Sequence, residues 1–153
     1  MLHFAYGSNM HRAVMRTHAR YAVPIGLARL ANYRFVITAD GYASIEPARA
    51  HSVHGVMWRL TPRDRVTLDA WENIAGGLYR AETLPVDEAA RRRRALVYIA
   101  RRRPLGRPKP GYMEIVAKAA RDWEMPPAYI ASLEEWLPTR PLGAGHRKLG
   151  EFR

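Results

Sequence analysis

Glu72 and the run Tyr6-Gly7-Ser8-Asn9 are the residues here whose types and placement suit acid–base chemistry at a bound carbonyl or anion. Asp69 and Glu72 stand three apart on a predicted helix and so share a face. Glu72 falls at the helix end, just before Gly76-Gly77, where a side chain can turn into a cavity. A carboxylate kept near apolar groups such as Trp71 has its pKa raised and can act as a general base or acid. The alternative is a surface carboxylate facing one of many arginines. In the second stretch, Phe4-Ala5 reads as the end of an apolar strand that breaks at once into a tight polar turn. Successive N–H groups at such a turn suit an anion or a developing oxyanion. Gly7 lets a ligand approach the backbone closely, and Ser8 and Asn9 can cap a following helix. An ordinary strand-to-helix turn has the same composition. Tyr6, Tyr79, Tyr98 and Tyr112 sit on or beside strand ends or at a helix entry, where a phenol gives an apolar wall and one polar handle. Core packing is the plainer reading of any one of them.

Other chemistries find little support. The chain has no cysteine, hence no disulfide, thiolate nucleophile or thiolate metal site. His3, His11, His18, His51, His54 and His146 show no tight metal-ligand spacing, so no metal site is expected. Ser8 lacks the G-x-S-x-G context of a hydrolase nucleophile. The glycines form neither a P-loop nor a dinucleotide fingerprint.

The elements that must position these residues are strands with inserted helices, followed by terminal helices. Strands are expected at residues 2–6, 22–30, 33–38, 42–46, 53–60, 78–86 and 95–100. Helices are expected at 10–17, from 61 to near Asn73, at 112–124 and at 127–137. The strand expected at 42–46 directly follows the turn signal Asp40-Gly41. Thr61-Pro62-Arg63-Asp64 reads as an N-cap, a first-turn proline and a capping-box variant, with Leu60, Val66, Leu68 and Trp71 on the apolar side of that helix. Ile115, Val116 and Ala119 mark the inner face of one late helix, and Ile130, Leu133 and Leu137 that of the other. The order predicts an α+β domain on a mixed or barrel-like sheet. Residues 1–140 form one domain in this reading, and 141–153 a basic, poorly ordered tail.

At 153 residues the chain is long enough for one real core. Hydrophobic residues at 48% and charged residues at 25% place it among globular proteins. No apolar run approaches the roughly 20 residues of a membrane-spanning helix, and the Gly-Ser-Asn turn interrupts any signal-peptide pattern, so a cytoplasmic location is expected. The net charge of +11 comes from 25 Lys and Arg against 14 Asp and Glu, and only Lys109, Lys118 and Lys148 are lysines. Arginine forks bind phosphate, so the clusters at 91–94 and 101–103 offer an anionic-partner reading, nucleic acid included. A solvated hairpin end and strand end is the stronger reading.

Four blocks in order resemble the γ-glutamylcyclotransferase-like family. Phe4-Ala5-Tyr6-Gly7-Ser8-Asn9-Met10 is similar to its signature loop, and Gly55-Val56-Met57-Trp58 to its G-V-x-W strand. Leu68-Asp69-Ala70-Trp71-Glu72 with Gly77-Leu78-Tyr79 resembles its catalytic-glutamate segment. Pro108-Lys109-Pro110-Gly111-Tyr112 resembles the segment that closes its substrate pocket. The resemblance spans residues 2–137. It implies a small mixed β-barrel with flanking helices, no metal and no organic cofactor, and release of 5-oxoproline from a small γ-glutamyl substrate. It also implies Glu72 as general acid/base, Tyr6, Gly7, Ser8 and Asn9 as the substrate loop, and Tyr79, Tyr98 and Tyr112 as pocket walls. The chain departs from the family in having Asn73 where glycine often follows the glutamate, in its Ala75-Gly76-Gly77 connection, and in a short segment over 41–52. A non-catalytic module binding a small carboxylate-bearing metabolite remains the alternative to an enzyme.

Overall fold

The computed structural model describes residues 1–101 and 104–139. The proposed tail at 141–153 lies outside the described residues, as do Arg102 and Arg103. The chain runs β1 (Leu2–Ala5), α1 (Arg12–His18), β2 (Val23–Ile37), β3 (Ala43–Arg59), α2 (Pro62–Trp71), β4 (Tyr79–Glu88), β5 (Arg91–Ala100), α3 (Tyr112–Asp122) and α4 (Pro127–Glu134). The strands close into a barrel in the order β1-β3-β2-β4-β5. All neighbours are antiparallel except β1 and β5, which pair in parallel at His3 and Leu96. Closure leaves no free sheet edge among these five strands. This is the expected α+β class, a small mixed barrel with flanking helices.

Two expectations merge. The strands read at 22–30 and 33–38 are one strand, β2, and those read at 42–46 and 53–60 are one strand, β3. Asn32 takes φ 63° and the β2–β3 register shifts between Ala31 and Tyr33, a bulge that bends the ladder without ending it. Ala50, also left-handed at φ 63°, donates its N–H to Asn32 Oδ1 at 3.3 Å. The polar stretch that suggested a break in β3 is largely exposed strand.

α2 begins as read. Thr61 N–H donates to Asp64 Oδ2 at 2.9 Å, and Asp64 N–H donates to Thr61 Oγ1 at 3.2 Å. Asp64 is buried and also accepts from Tyr21 N–H at 3.1 Å, which ties the helix start to the turn after α1. Val66 is a correction: it is 70% exposed, because it lies two residues from buried Leu68 and so on the opposite side of the helix. Leu60 is buried as expected. In α3 the buried positions are Tyr112, Met113, Val116, Ala117, Ala119 and Ala120, with Ile115 only half-buried. α4 buries Leu133 and stops at Glu134, short of the expected end at 137.

The buried core includes Phe4, Leu30, Ile37, Val56, Met57 and Val97. Gly55 is required there, since a Cβ would stand 2.4 Å from Ala5 O and 2.7 Å from the Phe4 ring. The glycine thus lets β1 lie against β3 where the signature loop departs.

Candidate active site

β1 ends at Ala5, and the chain turns through Gly7 into a short 3₁₀ turn over Ser8–Met10 before α1. The turn is closed by Met10 N–H on Gly7 O and His11 N–H on Ser8 O, both at 3.0 Å. Ser8 and Asn9 are buried at 1% and 6% exposure. Opposite them α2 ends at Glu72, whose N–H still donates to Leu68 O at 2.8 Å. Only 5% of Glu72 is exposed, which removes the surface-carboxylate reading. Asn9 Nδ2 donates to Glu72 Oε1 at 3.4 Å across a cleft of about 30 Å³ that opens to solvent. Glu72, Tyr6, Gly7, Ser8, Asn9, Tyr79, Tyr98 and Tyr112 all line this one cleft.

The four tyrosines are each anchored. Tyr6 donates to Tyr98 O at 2.5 Å and Tyr79 to Ala43 O at 2.8 Å. Tyr98 donates to Asp69 Oδ1 at 2.7 Å, and the same oxygen accepts from Arg65 Nε at 2.7 Å. Asp69 and Glu72 therefore divide their work: Asp69 holds Tyr98 while Glu72 faces the cleft. Tyr112 Oη accepts from Ala43 N–H at 3.3 Å and is hydrogen-bonded to Ser8. That oxygen is also why residue 7 is glycine, since a Cβ there would lie 2.8 Å from it. Burial pushes the pKa of Tyr6 and Tyr112 upward, and the Glu72 charge adds to it. Tyr98 is raised by burial and then by Asp69. All three phenols stay protonated and can donate.

Two acceptors complete the cleft wall. Asn9 Oδ1 is buried with no hydrogen-bond partner. His3, which the sequence reading had not placed in the site, also lines it. Its ring packs edge-on to Tyr98, and Nδ1 lies 3.0 Å from Leu96 O, so Nδ1 carries the proton. Nε2 is left as a buried acceptor without a partner. Burial lowers the His3 pKa to about 4, and Arg65 adds to the lowering, so the ring is neutral at pH 7. No spacing rule points to His3; its only signal is adjacency to the signature loop. Trp71 is a second correction. It stacks on His18 at 3.8 Å and does not line the cleft, so Glu72 sits among tyrosines rather than against the indole.

Asn73 follows Glu72 at φ 50°, a left-handed conformation that glycine adopts freely and asparagine tolerates. Its Oδ1 accepts from Gly76 N–H at 3.0 Å. The departure from the usual glycine thus preserves the turn. Among the described residues no group of three or more His, Asp or Glu is placed to hold a metal ion, and no helix is long and apolar enough to cross a membrane. In the first arginine cluster, Arg92 pairs with Asp87 and Arg93 with Glu88, while Arg94 donates to Thr83 O. Most of that cluster is spent on its own β4–β5 hairpin. The second cluster is described only at Arg101.

A family model described as the AIG2-like family matches residues 52–133, more than half of the chain. A solved γ-glutamyl cyclotransferase superposes with a TM-score of 0.88 at 21% identity, covering 97% of this chain and 95% of that one. An uncharacterized protein from Homo sapiens gives 0.87 at 22% identity, covering 97% and 94%. YkqA from Bacillus subtilis gives 0.78 at 21% identity, covering 94% of this chain and 56% of its own. At such identities the likeness establishes the fold. No curated protein sequence matches the chain.

Proposed function

The chain belongs to the AIG2-like family, and on that footing we propose that it is an enzyme that cyclises a γ-glutamyl compound to 5-oxoproline and releases an amino acid or amine. The observation that carries this reading is the pairing of Glu72 with the turn at Asn9. A buried carboxylate faces the signature loop, with two further unpartnered acceptors, Asn9 Oδ1 and His3 Nε2, in the same wall. Such a wall suits a ligand that brings N–H donors, and a γ-glutamyl group brings an α-ammonium.

In the proposed reaction the substrate's own α-amine attacks its γ-carbonyl carbon and closes a five-membered lactam. The nucleophile is intramolecular, so neither a serine nor a cysteine is called for. Glu72 takes a proton from the attacking nitrogen and returns it to the departing one. The new C–N bond pushes the carbonyl π pair onto oxygen. Collapse of that oxyanion expels the amine. N–H groups of the loop at Gly7, Ser8 and Asn9, with the protonated phenol of Tyr112, supply donors for the oxyanion and the α-carboxylate, while Tyr6 and Tyr98, whose protons go to Tyr98 O and Asp69 Oδ1, hold the wall in place. Tyr79 serves as a packed wall that fixes Ala43. One carboxylate performs both proton transfers, and the reaction so written calls on no metal or organic cofactor.

The test is release of 5-oxoproline from a panel of γ-glutamyl amino acids, amines and peptides. Turnover of at least one member supports the proposal. Tight binding of a member that is recovered intact would replace it with the binding-module reading, and neither turnover nor binding would remove both.

A further inference from the structure

A second concavity, of about 100 Å³, lies between α1 and the β2–β3 ladder. Three guanidiniums border it: Arg12 and Arg16, one helical turn apart on α1, and Arg20 in the turn that follows. Met15, Ala19 and Pro24 form apolar walls, and Trp58 forms part of the lining. No carboxylate lines it.

These arginines differ from the rest of the basic surface. Arg65, Arg80, Arg93 and Arg121 each hold a carboxylate at 3.0 Å or closer. Arg12, Arg16 and Arg20 form no ion pair with any carboxylate among the described residues. Asp122, whose charge reaches Arg12, is itself bonded to Lys118 at 2.6 Å. Two of the three are held instead by aromatic faces. The Arg12 guanidinium lies 3.6 Å from the Trp123 ring centroid, and that of Arg20 lies 5.3 Å from Tyr21. Stacking of this kind orients a guanidinium while leaving its edge donors available. Trp58, 3% exposed, backs the groove, and its Nε1 is buried with no acceptor among the described residues. Everything polar in the side chains bordering the concavity donates.

We propose that this groove of Arg12, Arg16 and Arg20 beside Trp58 binds a phosphate group, as the free anion or as a small monoester. A phosphate monoester has a second pKa of about 6 and is mostly dianion at neutral pH, where inorganic phosphate is a mixture of mono- and dianion; each form can accept from several forks at once. The apolar walls exclude water from part of each contact and strengthen it. The volume is a few times that of one water, which admits a single phosphate and leaves any esterified remainder outside in solvent. The proposal is independent of the chemistry at Glu72.

The experiment is a ¹H–¹⁵N titration of the full chain in about 0.15 M salt, which screens diffuse attraction. The probes are inorganic phosphate, glycerol 3-phosphate and a short single-stranded DNA. The indole N–H signal of Trp58, identified by its loss in Trp58→Phe, is the reporter. The expected result is a saturable shift of that signal with phosphate, glycerol 3-phosphate or both, weakened about tenfold in Arg16→Ala and in Arg20→Ala. Arg91→Ala, which removes one exposed charge from the far hairpin, is expected to leave it unchanged. Saturation by both probes identifies the free anion as sufficient; saturation by the ester alone identifies an esterified ligand. A signal that does not saturate, or an equal loss in Arg91→Ala, would overturn the proposal in favour of diffuse electrostatics. Binding of the DNA alone would overturn it in favour of a nucleic-acid surface.

Discussion

Asn9 and Glu72 are 63 positions apart, yet the Asn9 side-chain amide donates to the Glu72 carboxylate at 3.4 Å. That contact brings the turn after β1 against the end of α2. It depends on Gly55, which lets β1 lie close on β3, and on the Thr61–Asp64 capping box, which fixes where α2 begins.

Asn9→Asp places a second carboxylate beside Glu72. Like charges at this distance disfavour joint ionisation, so the pKa of the pair's base rises. The acid limb of the pH–rate profile of 5-oxoproline release is expected to move to higher pH. Asn9→Ala, which removes the donor to Glu72 but adds no charge, is expected to lower the rate and to move that limb in the same direction by less.

Tyr112→Phe removes the oxygen that accepts from Ala43 N–H and binds Ser8. Leaving buried donors unpaired costs about 1–3 kcal/mol. Urea unfolding should show a loss of that order, together with weaker turnover, because the loop at residues 7–8 loses its support.

Much of this arrangement was legible in the sequence for reasons that can be named. The capping box was readable because its partners are three residues apart and the chemistry is local. The barrel's parallel closure at His3 and Leu96 was not readable, because no local period encodes which strands meet at the seam. β2 and β3 were each read as two strands because Asn32 and the polar stretch before Ser52 look like punctuation. In the structure the left-handed residues Asn32 and Ala50 absorb a bulge within continuous pairing. Glu72 was legible through its position before Gly76-Gly77, whereas its neighbours were only partly so. Trp71 turned to His18, and His3, which carries no motif spacing, entered the cleft.

Gly55→Ala is expected to destabilise the barrel although it adds one methyl group. The new Cβ would meet the Ala5 carbonyl at 2.4 Å and the Phe4 ring at 2.7 Å, and backbone cannot yield as a flexible side chain does. Overpacking of this kind costs about 1–3 kcal/mol. A lower midpoint in urea with an unchanged slope checks it.

His3 sets a pH dependence of stability. Its folded pKa of about 4 lies below the 6.5 of a free imidazole, so the unfolded chain takes up a proton first as pH falls. Stability is unaffected by His3 above about pH 6.5 and declines from there to about pH 4, by roughly 3 kcal/mol in total. His3→Phe should remove that part of the decline. Unfolding midpoints of both proteins between pH 7 and pH 4.5 provide the comparison.

The most direct measurement is 5-oxoproline release by Glu72→Gln against the unaltered chain, on whichever γ-glutamyl compound the latter turns over. Glutamine keeps the shape and can still accept from Asn9 Nδ2, but it cannot take a proton. Turnover is expected to fall about 10²–10⁴-fold with substrate binding retained. Turnover equal to that of the unaltered chain would contradict the assignment of Glu72 as the acid and base of this site.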